Sequence, residues 1–121
     1  MEKEKRGPEV APLSFPDLSL LVDYVEALFY VQRRLGMFGR GDLKPFCEAQ
    51  QLPYTSVVGL KNGTLKREEP RLVQRVLLSL SVPTGLVRFP AGSPSTSFLF
   101  PNAAALATFR SQVAYFKSVE Q

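Results

Sequence analysis

Eighteen consecutive residues, Phe46 to Gly63 (FCEAQQLPYTSVVGLKNG), constrain this chain more than any other stretch. At helical spacing they read as two short helices with a tight joint at Gln50 and Gln51, because that break gathers Phe46, Leu52, Val57 and Leu60 on an inner face. Tyr54, Thr55, Ser56, Val58, Gly59, Lys61 and Asn62 are then outward. Two such helices joined by a sharp turn are a helix-turn-helix pattern. An outward set that is short, polar and basic, with a glycine permitting close approach, suits a helix laid in the major groove of double-stranded DNA.

The remaining sequence supplies a body for that unit. Residues 1–13 alternate charges with Gly and Pro and carry no periodic apolar face, so a flexible tail is expected. Ser14 and Asp17, with Pro16 in the first turn, predict the start of a long helix whose inner face is Leu18, Leu21, Val22, Val25, Leu28, Phe29 and Leu35. Gly36 is expected to end it in a left-handed cap, with Arg33 and Arg34 in the last turn matching its dipole. Asp42 is the expected cap of the next helix, where Pro45 still falls in the first turn. Beyond TLKREEP, Pro70 opens a helix with Leu72, Val73, Val76, Leu77 and Leu80 inside, closed by Pro83. Residues 14–82 therefore form the expected helix-turn-helix domain.

Residues 83–121 depart from this plan. Leu86 to Phe89 and Ser97 to Phe100 are β-prone runs joined by PAGSPST and predict a hairpin. Asn102 then caps a helix with the stripe Leu106, Phe109, Val113 and Phe116. A lone hairpin is marginal in water, so this element either covers the helical core or pairs with a second copy of the chain.

The eighteen residues Phe46 to Gly63 resemble the phage-repressor-like helix-turn-helix, the xenobiotic-response-element family. The matching residues are Phe46 with Cys47, Leu52, Pro53, Ser56 with Val57, Leu60, and Lys61-Asn62-Gly63. The resemblance extends over roughly Leu18 to Leu80 and implies a mainly α, lambda-repressor-like helical DNA-binding domain, here with a C-terminal β-hairpin and helix. Two positions depart from the pattern. Gln51 stands where a Gly usually makes the turn, and Gly59 where a longer polar or basic side chain often lies.

Charge follows the same segment. Between Tyr30 and Arg75 nine basic residues face four acidic ones, so that stretch exceeds the net +4 of the whole chain. Phosphate-facing surfaces require such a bias. Candidate base contacts are Tyr54, Thr55, Ser56, Val58 and Gly59; candidate phosphate contacts are Arg40, Lys44, Lys61, Asn62, Lys66 and Arg67. Gly63 is read as a helix-ending residue with positive φ.

Catalysis is limited by subtraction. The chain has no His, which excludes Ser-His and Cys-His nucleophilic machinery and His-ligated metals, and one Cys cannot build a zinc site. Cys47 is expected to be buried and inert. Glu68 and Glu69 are adjacent and diverge on a helix, so they make no acid/base pair. The loop Gly36 to Gly41 lacks the residues of a nucleotide-binding loop. No enzyme, cofactor or metal is expected.

No apolar run is long enough to span a bilayer, and the charged start MEKEKRGPEVAP is not a secretory signal, so a cytoplasmic protein without membrane contact is expected. The expected function is sequence-specific binding of double-stranded DNA by a homodimer acting as a transcriptional regulator. The alternative is a protein-interaction module with a protein partner, such as an antitoxin or an accessory factor of a mobile genetic element.

Overall fold

The structure, a computed structural model of the full chain, describes residues 18–89 and 95–119. The expected tail and the expected helix start at Ser14 to Asp17 lie outside the described residues. The chain is mainly helical, with β1 (Leu21–Asp23), α1 (Tyr24–Gly36), α2 (Leu43–Ala49), α3 (Tyr54–Asn62), α4 (Pro70–Ser79), β2 (Gly85–Phe89), β3 (Ser95–Leu99) and α5 (Ala103–Val119).

The first helix begins later than its apolar spacing suggests. Leu18–Leu20 form a single 3₁₀ turn and Leu21–Asp23 an extended strand, so Leu18, Leu21 and Val22 do not belong to the helical stripe. Asp23 stops the strand and caps the helix, its carboxylate accepting from the Glu26 N–H at 2.8 Å. The pair Asp23 and Glu26 has the three-residue spacing of a capping box, a signal the apolar periodicity overrode. Gly36 is the last helical residue and is not left-handed; the following Met37 keeps a right-handed φ of −81°. Asp42 occupies the cap position of α2 without a side-chain hydrogen bond to the helix.

Three helix ends close in one way. Leu52 N–H reaches Cys47 O at 2.8 Å, Thr64 N–H reaches Gly59 O at 2.9 Å, and Val82 N–H reaches Leu77 O at 2.8 Å, each across a single left-handed residue. This is the Schellman closure. The left-handed residues are Gln51 (φ 58°), Gly63 (φ 70°) and Ser81 (φ 68°). Gln51 thus adopts the conformation a glycine would take at the α2–α3 joint. Arg75 Nη2, from α4, donates to Gln51 O at 2.5 Å and pins that turn. A left-handed L-residue costs about 1–2 kcal/mol, against which glycine's extra chain entropy costs roughly 0.5–1 kcal/mol. Gln51→Gly and Ser81→Gly are each expected to stabilise the fold by about 0.5–1 kcal/mol, read as a higher urea midpoint at unchanged slope. A lower midpoint for Gln51→Gly would mean that its side chain, and not its backbone, holds the joint.

The hairpin expected from the turn-rich linker is present, with Phe89 opposite Ser95 and Leu86 opposite Phe98. The strand missing from the sequence reading, β1, pairs antiparallel with β3, Val22 opposite Phe98, giving the sheet order β1-β3-β2. Three residues are too short for alternation to declare a strand; the sheet edge offered by β3 decides it.

One core runs through everything described. It includes Val31, Leu35, Val57, Leu60, Val73 and Val76 from the helical unit and Phe98, Phe100, Leu106, Phe109, Val113 and Phe116 from the C-terminal third. Tyr30, 1% exposed, joins the two: its ring lies 4.7 Å from Phe109 and 6.1 Å from Phe116. The C-terminal third thus contributes to the core of its own chain. Asn102 caps α5 as expected, its carbonyl oxygen accepting from Ala105 N–H at 2.8 Å.

Candidate nucleic-acid interface

Helix α3 is built from a weakly amphipathic sequence and is held by what lies beneath it. Val57 and Leu60 are buried, and Leu60 O accepts from Gln32 Nε2 of α1 at 3.0 Å. Gly63 ends the helix in the left-handed conformation predicted for it. Elements α1 and α2 pack on the inner side; the outer side carries exposed Tyr54, Thr55, Lys61 and Asn62. At helical spacing these form two adjoining rows, Tyr54 with Lys61, and Thr55 with Asn62. Ser56, half-buried, lies off this face, and Val58, between the two rows, is also half-buried and packs against the core.

Gly59 is not on it. The residue is buried, and a Cβ built there would lie 2.7 Å from Leu65 Cδ2 and 3.3 Å from its Cγ. Its smallness admits Leu65 from the α3–α4 loop against the helix, so its role is internal packing and its assignment as a base contact is withdrawn. Gly59→Lys, which would restore a long side chain at this position, is expected to lower stability by about 1–2 kcal/mol, overpacking outweighing the gain in helix propensity. Unchanged stability would return Gly59 to the outer face.

The basic candidates divide by position. Lys61 sits in the last turn of α3, and Lys66 and Arg67 are exposed in the loop that follows. Arg67 is partly engaged, its Nε 3.5 Å from Glu69 Oε2, an exposed pair of little energetic weight. Arg40 and Lys44 are exposed at the start of α2, the end remote from the joint with α3. Two arginines not among the sequence candidates complete the surface. Arg71 and Arg75 of α4 line a shallow cleft of about 290 Å³ together with Pro53 and Ser56 at the beginning of α3. Their i, i+4 spacing was visible, but only packing of α4 beside the joint gives it meaning.

Cys47 is fully buried, and burial, then the neighbouring Glu48 charge, pushes its thiol above the usual range. Phe98 and Phe100 are core residues, unable to stack on bases. Among the described residues no helix is long and apolar enough to cross a membrane.

No family model, curated protein or solved structure matches this chain.

Proposed function

We propose that the chain binds double-stranded DNA through a phage-repressor-like helix-turn-helix formed by α2 and α3, and acts as a transcriptional regulator. The observation that carries this reading is the position of α3: Tyr54, Thr55, Lys61 and Asn62 on its outer side are exposed, and Arg71 and Arg75 flank its start. Thr55 is the reading residue at the front of the helix, its hydroxyl and methyl suited to a base edge. Lys61, Asn62, Lys66 and Arg71 hold phosphates. One such module buries little surface, so two copies on a two-fold site are expected. The apolar stripe of α5 is used within its own chain, which leaves other faces for that contact.

Selection from a random duplex library, followed by titration of variants, tests the proposal. An inverted repeat should be recovered. Thr55→Ala should then cost roughly 1–3 kcal/mol on the selected site and relax preference at one base, whereas Lys61→Ala should weaken selected and random duplex alike. Equal losses on both duplexes for both variants would remove the assigned roles.

A protein-interaction role is the second reading, and one feature favours it. Val25, 73% exposed, borders an apolar cleft of about 330 Å³ formed with Leu28 and Leu65, on the α1 side of Gly59. Failure to enrich any duplex at low salt would favour this reading.

A further inference from the structure

Arg34 lies about 200° around α1 from Gln32, the residue that ties α1 to α3, and so faces the opposite side of the molecule. Its surroundings are built from three elements. Tyr30 OH donates to Gln112 Oε1 of α5 at 2.6 Å and accepts from Arg34 Nη1, and the guanidinium carbon sits 5.5 Å from the Tyr30 ring centre. This arrangement orients the guanidinium with neutral partners alone. Among the described residues no carboxylate pairs with Arg34, whereas Arg67 pairs with Glu69 and Arg110 with Glu26. Arg34 is only half-exposed, and a guanidinium has five donors, of which one is used here. Partial burial of a charge without a counter-charge is unfavourable, and a ligand able to supply the opposite charge offsets part of that cost.

The space around it suits such a ligand. Three clefts, of about 260, 210 and 400 Å³, border Arg34. The first is walled by Leu80, Pro83, Phe100 and Phe109, with Thr108 and Gln112 as polar lining. Apolar walls with a few convergent polar groups are the composition of small-molecule sites, and this volume lies just below their usual range, which suits only a small ligand.

We propose that this cleft binds a small organic acid: the carboxylate takes the unused N–H groups of Arg34 in a bidentate pair, and a small aliphatic or aromatic body lies against Phe100, Phe109 and Leu80. Carboxylate and guanidinium match in geometry as well as charge. Tyr30 and Gln112 hold the guanidinium in place and do not themselves carry the charge recognition. Inorganic phosphate satisfies Arg34 but leaves the apolar wall unused, so it is the weaker ligand. The site does not depend on the reading of α3.

Benzoate and phenylacetate, with benzamide and inorganic phosphate as controls, titrated against the ¹⁵N-labelled full chain, test this. Both carboxylates should shift the Ser81, Thr108 and Gln112 amides saturably, and both controls should bind at least about tenfold more weakly. Arg34→Gln should weaken the carboxylates by about tenfold or more while the dispersed spectrum is kept. Thr108→Trp fills the cleft from an exposed position with Arg34 retained and should abolish binding, which keeps the test decisive if Arg34→Gln does not fold. Benzamide or phosphate binding as well as the acids, binding unchanged in Arg34→Gln or Thr108→Trp, or no saturable shift up to about 10 mM would overturn the proposal.

Discussion

Phe109→Ala is expected to destabilise the protein by about 3–5 kcal/mol, the range for emptying an aromatic site in a packed core. Phe109 is buried, 4.7 Å from the Tyr30 ring and 4.9 Å from that of Phe100, so its removal opens a void between α1, α5 and the residue that follows β3. A domain of this size commonly has only about 5–15 kcal/mol in total, and the loss should be plain in urea unfolding. The same geometry predicts that ending the chain at residue 82 leaves Tyr30 without the Phe109 and Phe116 rings that cover it and yields no cooperative transition. A cost below about 1 kcal/mol for Phe109→Ala, or a stable 18–82 fragment, would make the C-terminal third an appendage and not part of one core.

Duplex affinity is expected to fall steeply with salt. Neutralisation of three phosphates per copy by Lys61, Lys66 and Arg71 gives a slope near −2.7 in log affinity against log salt, roughly a 40-fold loss between 50 and 200 mM. Two copies on one site double the slope. Lys61→Glu should flatten it and weaken selected and random duplex together, whereas Thr55→Ala should leave the slope unchanged. Binding insensitive to salt would assign the basic surface to something other than phosphates. The Arg67–Glu69 pair offers a control: Glu69→Gln frees Arg67 and should raise affinity modestly at low salt.

Much of the helical unit could be read from local signals. Gly63 and Pro70 mark boundaries by backbone chemistry alone, and the stripes Leu72-Val73-Val76-Leu77 and Leu106-Phe109-Val113-Phe116 state their inner faces outright. The joint at Gln50 and Gln51 was legible although the expected glycine is absent, because the apolar pattern on either side fixes where the chain must bend. What stayed hidden depended on distant contacts. Leu21 and Val22 fit a helical stripe as well as a strand, and only pairing with β3, more than seventy residues away, decides between them. Gly59 reads as outward from its place in a polar helix; Leu65 turns it into a packing position. Arg71 and Arg75 join the candidate site because α4 packs beside the α2–α3 joint, with Arg75 bound to Gln51 O. In each case the local sequence allows two outcomes and tertiary contact selects one.

The central claim is that the outer rows of α3 meet double-stranded DNA. Amide chemical-shift mapping of the labelled chain, titrated at low salt with a duplex selected from the random library, tests it most directly. The account predicts shifts concentrated at Tyr54, Thr55, Lys61, Asn62 and Arg71, with α5 and β2 unmoved. Shifts confined to α5 or the Val25 side of α1, or none at all in excess duplex, would contradict it.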